Sequence, residues 1–195
     1  MGQVILEEKH MAKKLLLVSV LVTIAAAGSI FAQDQEKHFS AGIGLMTGGG
    51  RMGSTATTDI DRIGFGGVVF FDATYAEFAF GSPSGRLNKD TNFSSVDFSL
   101  LGKYPVTIGS GNISIFPLLG AGYNLMLRVN GKSGGAADYN TFRVEFGAGS
   151  DFDLSRNLFM RLELLGNYGF APEVLGTDAD GGLGGTVKIA VGSRF

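Results

Sequence analysis

The chain has no cysteine and no tryptophan, and only two histidines and four prolines in 195 residues. Without cysteine there is no disulfide framework, no thiolate metal site, no cysteine nucleophile and no lipid-bearing cysteine. Long apolar runs are missing from the body of the chain, so no stretch there reaches the roughly 20 residues a membrane helix needs. Charge is sparse at 17%, and 16 basic against 18 acidic residues leave a net charge of −2. A nucleic-acid partner therefore has no electrostatic support. Abundance lies elsewhere, in 31 glycines, 16 phenylalanines and a hydrophobic content of 45%. So much glycine argues against long helices, at about 1 kcal/mol for each interior position, and so much phenylalanine argues against disorder.

The one strongly apolar segment is near the start. Met11-Ala12-Lys13-Lys14 forms a positive n-region, Leu15 to Ala27 an apolar h-region, and Gly28-Ser29-Ile30-Phe31-Ala32 a small-residue exit. This is the pattern of a secretory signal peptide. Cleavage is expected after Ala32, with Ala27 as the alternative because Ile30 is large for its position. A retained anchor is the other reading, but the h-region is short for a span. Met1 to His10 fits no signal, since Glu7 and Glu8 precede the lysines, and translation is expected to begin at Met11. The domains are then residues 1–32, the signal, and 33–195, the mature domain. Removing the signal leaves 13 basic and 16 acidic residues, a mildly acidic domain.

From Phe39 onward apolar and polar residues alternate with period two, the mark of β-strands with two unlike faces. The expected strands are Phe39 to Met46, Arg62 to Asp72, Tyr75 to Phe80, Ser94 to Tyr104, Ile113 to Val129, a run around Phe142 to Phe152, another around Leu158 to Tyr168, and Val187 to Phe195. Within each strand the charges keep one parity. Arg62, Asp72, Glu77, Asp97, Lys103, Arg128, Arg143, Glu145, Asp151, Arg161, Glu163, Lys188 and Arg194 all fall on the polar face. Long connections are expected after the first, third, fifth and seventh strands (Thr47 to Asp61, Ser82 to Asn92, Asn130 to Asn140, Gly169 to Gly185), and short ones after the others. Pro117 falls inside the fifth strand and cannot donate to a ladder, so it is expected near a rim.

Alternation alone fits a membrane barrel, apolar outside, or a soluble lipocalin-like barrel, apolar inside. The polar face here is rich in Gly, Ala and Ser, which suits a narrow lumen better than a water-facing surface. Its charges come in pairs of opposite sign, Arg143 with Glu145, Arg161 with Glu163 and Lys103 with Asp97, as a closed interior demands. On the apolar face, aromatics gather near the strand ends: Phe39, Phe71, Tyr104, Phe152 and Phe195 at one end, Phe65, Phe80, Phe142 and Tyr168 at the other. Interfacial girdles have this arrangement.

Taken together, the leader, the eight alternating strands, the loop rhythm and the terminal Phe195 resemble the small OmpX/OmpA-type bacterial outer-membrane β-barrels. The resemblance implies a closed eight-stranded antiparallel up-and-down barrel with both termini periplasmic, outer-membrane lipid as its surroundings, and a monomer. It implies that Val187, Ile189, Val191 and Phe195 form the signal read by the barrel assembly machinery, after periplasmic chaperones; Ser193 departs from the usual Tyr. The expected role is non-catalytic, in envelope structure or adhesin-like surface interaction through the loops. No catalytic residue, metal or cofactor is expected, and no surface ligand is indicated.

Two alternatives stay open. Some eight-stranded outer-membrane barrels are lipid A deacylases or palmitoyltransferases that use a His, but His38, the mature chain's only one, lies before the first strand at the opposite rim from the lipid A leaflet. The other is the soluble lipocalin-like periplasmic binder. Gly42 to Gly48 lacks the flanking elements of a phosphate loop, and Asp178-Ala179-Asp180-Gly181 lacks the remaining ligands of a calcium loop.

Overall fold

The computed structural model describes residues 39–54, 59–88, 90–109, 112–170 and 180–195. The leader, the start at Met11, the cleavage sites, His38 and Asp178 lie outside the described residues. The strands are β1 (Phe39–Ser54), β2 (Asp59–Ala73), β3 (Ala76–Leu87), β4 (Thr91–Lys103), a three-residue β5 (Val106–Ile108), β6 (Ile113–Val129), β7 (Thr141–Asp153), β8 (Leu158–Phe170) and β9 (Asp180–Arg194). A short 3-10 turn, Ala136–Tyr139, lies in the β6–β7 loop.

Each long strand pairs antiparallel with its sequence neighbour, β9 pairs with β1, and β4 pairs with β6, so the eight long strands close into a barrel. The short β5 adds three rungs to the free edge of β6 below the end of β4. Closure is staggered. Following paired residues around the ring from Ser40 leads through Asp72, Glu77, Leu101, Gly120, Glu145, Asn167 and Gly184, and returns to β1 at Gly50, ten residues on. Such a shear tilts the strands and sets a lumen that side chains can fill.

The strands run further toward the loop end than their sequence suggests. Gly48, Gly49 and Gly50 pair with Gly64, Ile63 and Arg62, and Ser84 to Leu87 pair with Ser94 to Thr91. The connections expected at 47–61 and 82–92 are therefore mostly ladder. Glycine reads as loop because it contributes no side chain to a pattern, but its backbone pairs like any other. The β6–β7 loop and the turn at 154–157 fall where the sequence put them, whereas β5 lies inside the short connection expected at 105–112, and residues 169–170 and 180–185 of the loop expected at 169–185 are strand.

Both strand prolines occupy breaks in a ladder. The β3–β4 pairing has no rung at Ser82 and Pro83, and the register of β6 has none at Phe116 and Pro117 between the end of β4 and the start of β5. A missing N–H costs nothing where no partner faces it. At the loop end two asparagines in the left-handed region make equivalent clamps. Asn88 (φ 55) donates its N–H to Asp61 O at 2.8 Å, and its Oδ1 accepts from Asp61 N–H at 2.9 Å. Asn130 (φ 50) does the same with Asn92, at 2.8 and 3.2 Å.

Apolar side chains face outward. Ile43, Ile63, Leu119 and Leu183 are more than half exposed, with many other large hydrophobics alongside them. Five outward aromatics follow one another across four consecutive ladders, Phe80, Phe98, Tyr123, Phe142 and Phe170. At the end that holds the described termini, Phe71 lies between Phe39 (6.2 Å) and Phe195 (6.5 Å), and Tyr75 stacks on Tyr104 (6.2 Å).

Candidate functional site

The inward face carries the chemistry. Along β2, β3, β7, β8 and β9 the inward parity places Asp72, Glu77, Arg143, Glu145, Asp151, Arg161, Glu163 and Lys188 in the lumen, all buried, and β4 adds Asp97. These form two linked groups. In the half nearer the termini, Arg161 is the hub: Nε lies 2.6 Å from Asp151 Oδ1, Nη1 2.7 Å from Glu77 Oε2, and Nη2 2.8 Å from Asp72 Oδ2. Lys103 pairs with Asp72 as well. Lys188 joins Glu77 (3.3 Å) to Glu163 (3.0 Å). Arg194 closes the group at the rim, 2.6 Å from Asp153 and 3.7 Å from Asp151.

Three rings support the hub. The Arg161 guanidinium lies 4.5 Å from the centroid of Phe70 and 5.1 Å from those of Phe116 and Phe159. A planar cation can donate in its plane to three carboxylates while its faces contact rings, which a lysine cannot do. With these rings in place, the lumen at this level is packed with side chains.

Nearer the loop end, Arg143 bridges Glu145 (2.6 Å) and Asp97 (3.0 Å). Asn124 donates to Ser95 Oγ at 3.0 Å and to Asp97. The space for this bridge exists because residue 122 is glycine. A Cβ there would stand 2.8 Å from Glu145 Oε1 and 2.9 Å from Arg143 Nε.

Several sequence expectations need correction. Arg128 is exposed and outside the network. Ser95 pairs with Met126 and Ser94 with Arg128, so Leu127 is an extra residue, and this bulge turns Arg128 to the outer face. Lys103 pairs with Asp72 and not with Asp97. Arg161 has Glu163 only at 3.8 Å and takes its close partners from other strands. Sequence neighbours two apart share a face, but in a narrow lumen the opposite wall is as near as the adjacent residue. Asp153, Ser40 and the three rings were not anticipated as part of the network. The rings carried a signal, because Phe70, Phe116 and Phe159 lie on the same parity as Asp72, Ser114 and Arg161.

Arg62 lies above the second group, its guanidinium 5.9 Å from the Phe93 ring. Its Nη1 is buried and has no hydrogen-bond partner. It borders a cavity at the loop end together with Gly49, Gly50, Arg51, Thr141, Arg143, Asn167, Gly169 and Gly185. Val187, Ile189 and Val191 lie on the outer face of β9, paired with β1 on one side and β8 on the other; Phe195 N–H donates to Phe39 O at 3.0 Å.

No family model matches the chain, and no curated protein matches its sequence. Among solved structures, it is similar to Neisserial surface protein A, at 10% identity and TM-score 0.50 over 82% of this chain and 97% of that one. It is also similar to Ail, the attachment invasion locus protein of Yersinia pestis (16%, 0.49, 83% and 100%), and to OprG from Pseudomonas aeruginosa (12%, 0.49, 83% and 97%). At such identities the likeness is one of fold. The chain has the fold of the small eight-stranded outer-membrane β-barrels.

Proposed function

We propose that this chain is a non-catalytic integral protein of the bacterial outer membrane, with its termini on the periplasmic side and its loop end outward. The observation that carries the reading is the inverted polarity of a closed barrel. Ile43 is 68% exposed and Leu119 57%, whereas Arg161 is 2% and Glu77 1%. In water each such apolar side chain would forgo about 1.5–3 kcal/mol of burial. In lipid that cost vanishes, and a closed ring leaves no strand edge without partners. A lipocalin-like soluble barrel needs the opposite arrangement.

The lumen is occupied by the Arg161 cluster, which favours a structural and surface-interaction role over transport. The surface available to a partner is the loop end, where the β6–β7 connection carries Lys132, Ser133 and Asp138, and the ligand there is left open. Biogenesis in this reading passes through periplasmic chaperones and the barrel assembly machinery, which engages Val187, Ile189, Val191 and Phe195 on the last strand, and the product is a monomer.

The absence of cysteine makes the orientation simple to test. Ser133→Cys should react with a membrane-impermeant maleimide on intact cells, whereas Ser155→Cys should react only after the outer membrane is permeabilised. The opposite pattern would refute the orientation.

A further inference from the structure

Among the described residues, two arginines of the inward face, Arg62 and Arg143, border the loop-end cavity, and no acidic residue does. Arg51, Arg62 and Arg143 line it with Thr141, Asn167 and the backbones of Gly49, Gly50, Gly169 and Gly185. Asp97 and Glu145 lie below and both accept from Arg143, and Asp61 stands opposite Arg51 in the β1–β2 ladder. Arg62 is different: the acids whose charge acts on it are Asp97 and Glu145, yet its Nη1 is buried with no acceptor. A buried donor of a charged group left unpaired by protein is costly, and Arg62 borders the cavity.

We propose that this cavity is a site for a compact oxyanion of the phosphate type, with Arg62 as its principal donor. Arg143, fixed from below by two carboxylates, forms a rigid floor that cannot turn away from the anion. Asn167 offers an amide from β8. The glycine walls bring the backbone close, and Gly50 holds φ 144, a conformation that side chains avoid. A planar guanidinium matches a tetrahedral oxyanion with two parallel hydrogen bonds, which a lysine cannot reproduce. The same group could arrive as free phosphate or as the phosphate ester of a sugar or a lipid headgroup. Only the choice between those sources rests on the outward orientation proposed above; the binding itself does not.

The test uses the full mature chain refolded in zwitterionic detergent, with folding checked by its boiling-sensitive gel mobility. Isothermal titration calorimetry at constant ionic strength, in chloride background, is run with inorganic phosphate, glucose 6-phosphate and dihexanoyl phosphatidic acid. Saturable binding of at least one probe is expected, weakened tenfold or more by Arg62→Gln and less by Arg62→Lys. Binding of inorganic phosphate identifies the free anion, and binding of an ester alone identifies the sugar or lipid source. Should Arg62→Gln fail to fold, Arg62→Lys must still weaken binding at least threefold. A folded wild-type barrel that binds none of the probes, or affinities unchanged in the variants, would overturn the proposal while leaving the membrane-barrel reading intact.

Discussion

Arg161 on β8 donates across the lumen to Glu77 on β3, 84 positions away in sequence, with Nη1 2.7 Å from Oε2. Those strands are not neighbours in the ring, so the contact exists only once the barrel has closed. The same guanidinium holds Asp72 and Asp151. Removing it would leave three buried carboxylates without their main counter-charge. Arg161→Met is therefore expected to destabilise the barrel by about 3–5 kcal/mol, the cost of breaking buried charge pairs. Urea unfolding in detergent, followed by circular dichroism, measures it. Arg161→Lys should be intermediate, because an ammonium keeps the charge and loses the fork.

The bulge at Leu127 separates two arginines that sequence parity had placed together. Arg128→Ala, on the outer face, should change stability by no more than about 0.5 kcal/mol. Arg143→Ala, which leaves Asp97 and Glu145 buried together, should cost about 3 kcal/mol or more. Equal effects in the same unfolding assay would show that Arg128 belongs to the lumen after all.

Most of the architecture was legible in the sequence because a half-apolar strand has only one way to face lipid. A period of two fixes each side chain's face, and the fifth strand, Ile113 to Val129, has the boundaries its pattern gave. Strand length at the loop end was not legible. There the residues are Gly48 to Gly50 and Ser82 to Gly85, which pair through backbone and leave no side-chain signal. Partner choice inside the lumen was not legible either. Parity says that Arg161 points inward, but which carboxylate it meets depends on the stagger of the ring, a property of all eight ladders together. The bulge at Leu127 is a third case, since one inserted residue reverses a face without altering composition.

The last strand offers a prediction about assembly. Phe195 packs its ring 6.5 Å from Phe71 and donates its N–H to Phe39, at the seam where β9 meets β1. Phe195→Ala keeps the hydrogen bond and removes the ring. Outer-membrane yield of the folded form is expected to drop severalfold, with unfolded protein accumulating in the periplasm. Undiminished yield would mean that the ring has no part in insertion.

Packing of the lumen by Phe70, Phe116, Phe159 and Arg161 leads to a prediction about conduction. Purified protein in planar bilayers is expected to show no discrete channel steps. Reproducible unitary conductance of the wild-type chain would contradict a filled lumen, which for eight strands is the ordinary state.

A closed barrel with an apolar outer face is expected to reside in the outer membrane. Membrane fractionation followed by a gel of boiled and unboiled samples tests it most directly. The expected result is recovery in the outer-membrane fraction, release only with detergent, and a mobility that changes on boiling. Recovery in the soluble periplasmic fraction without detergent, with one mobility before and after boiling, would contradict it.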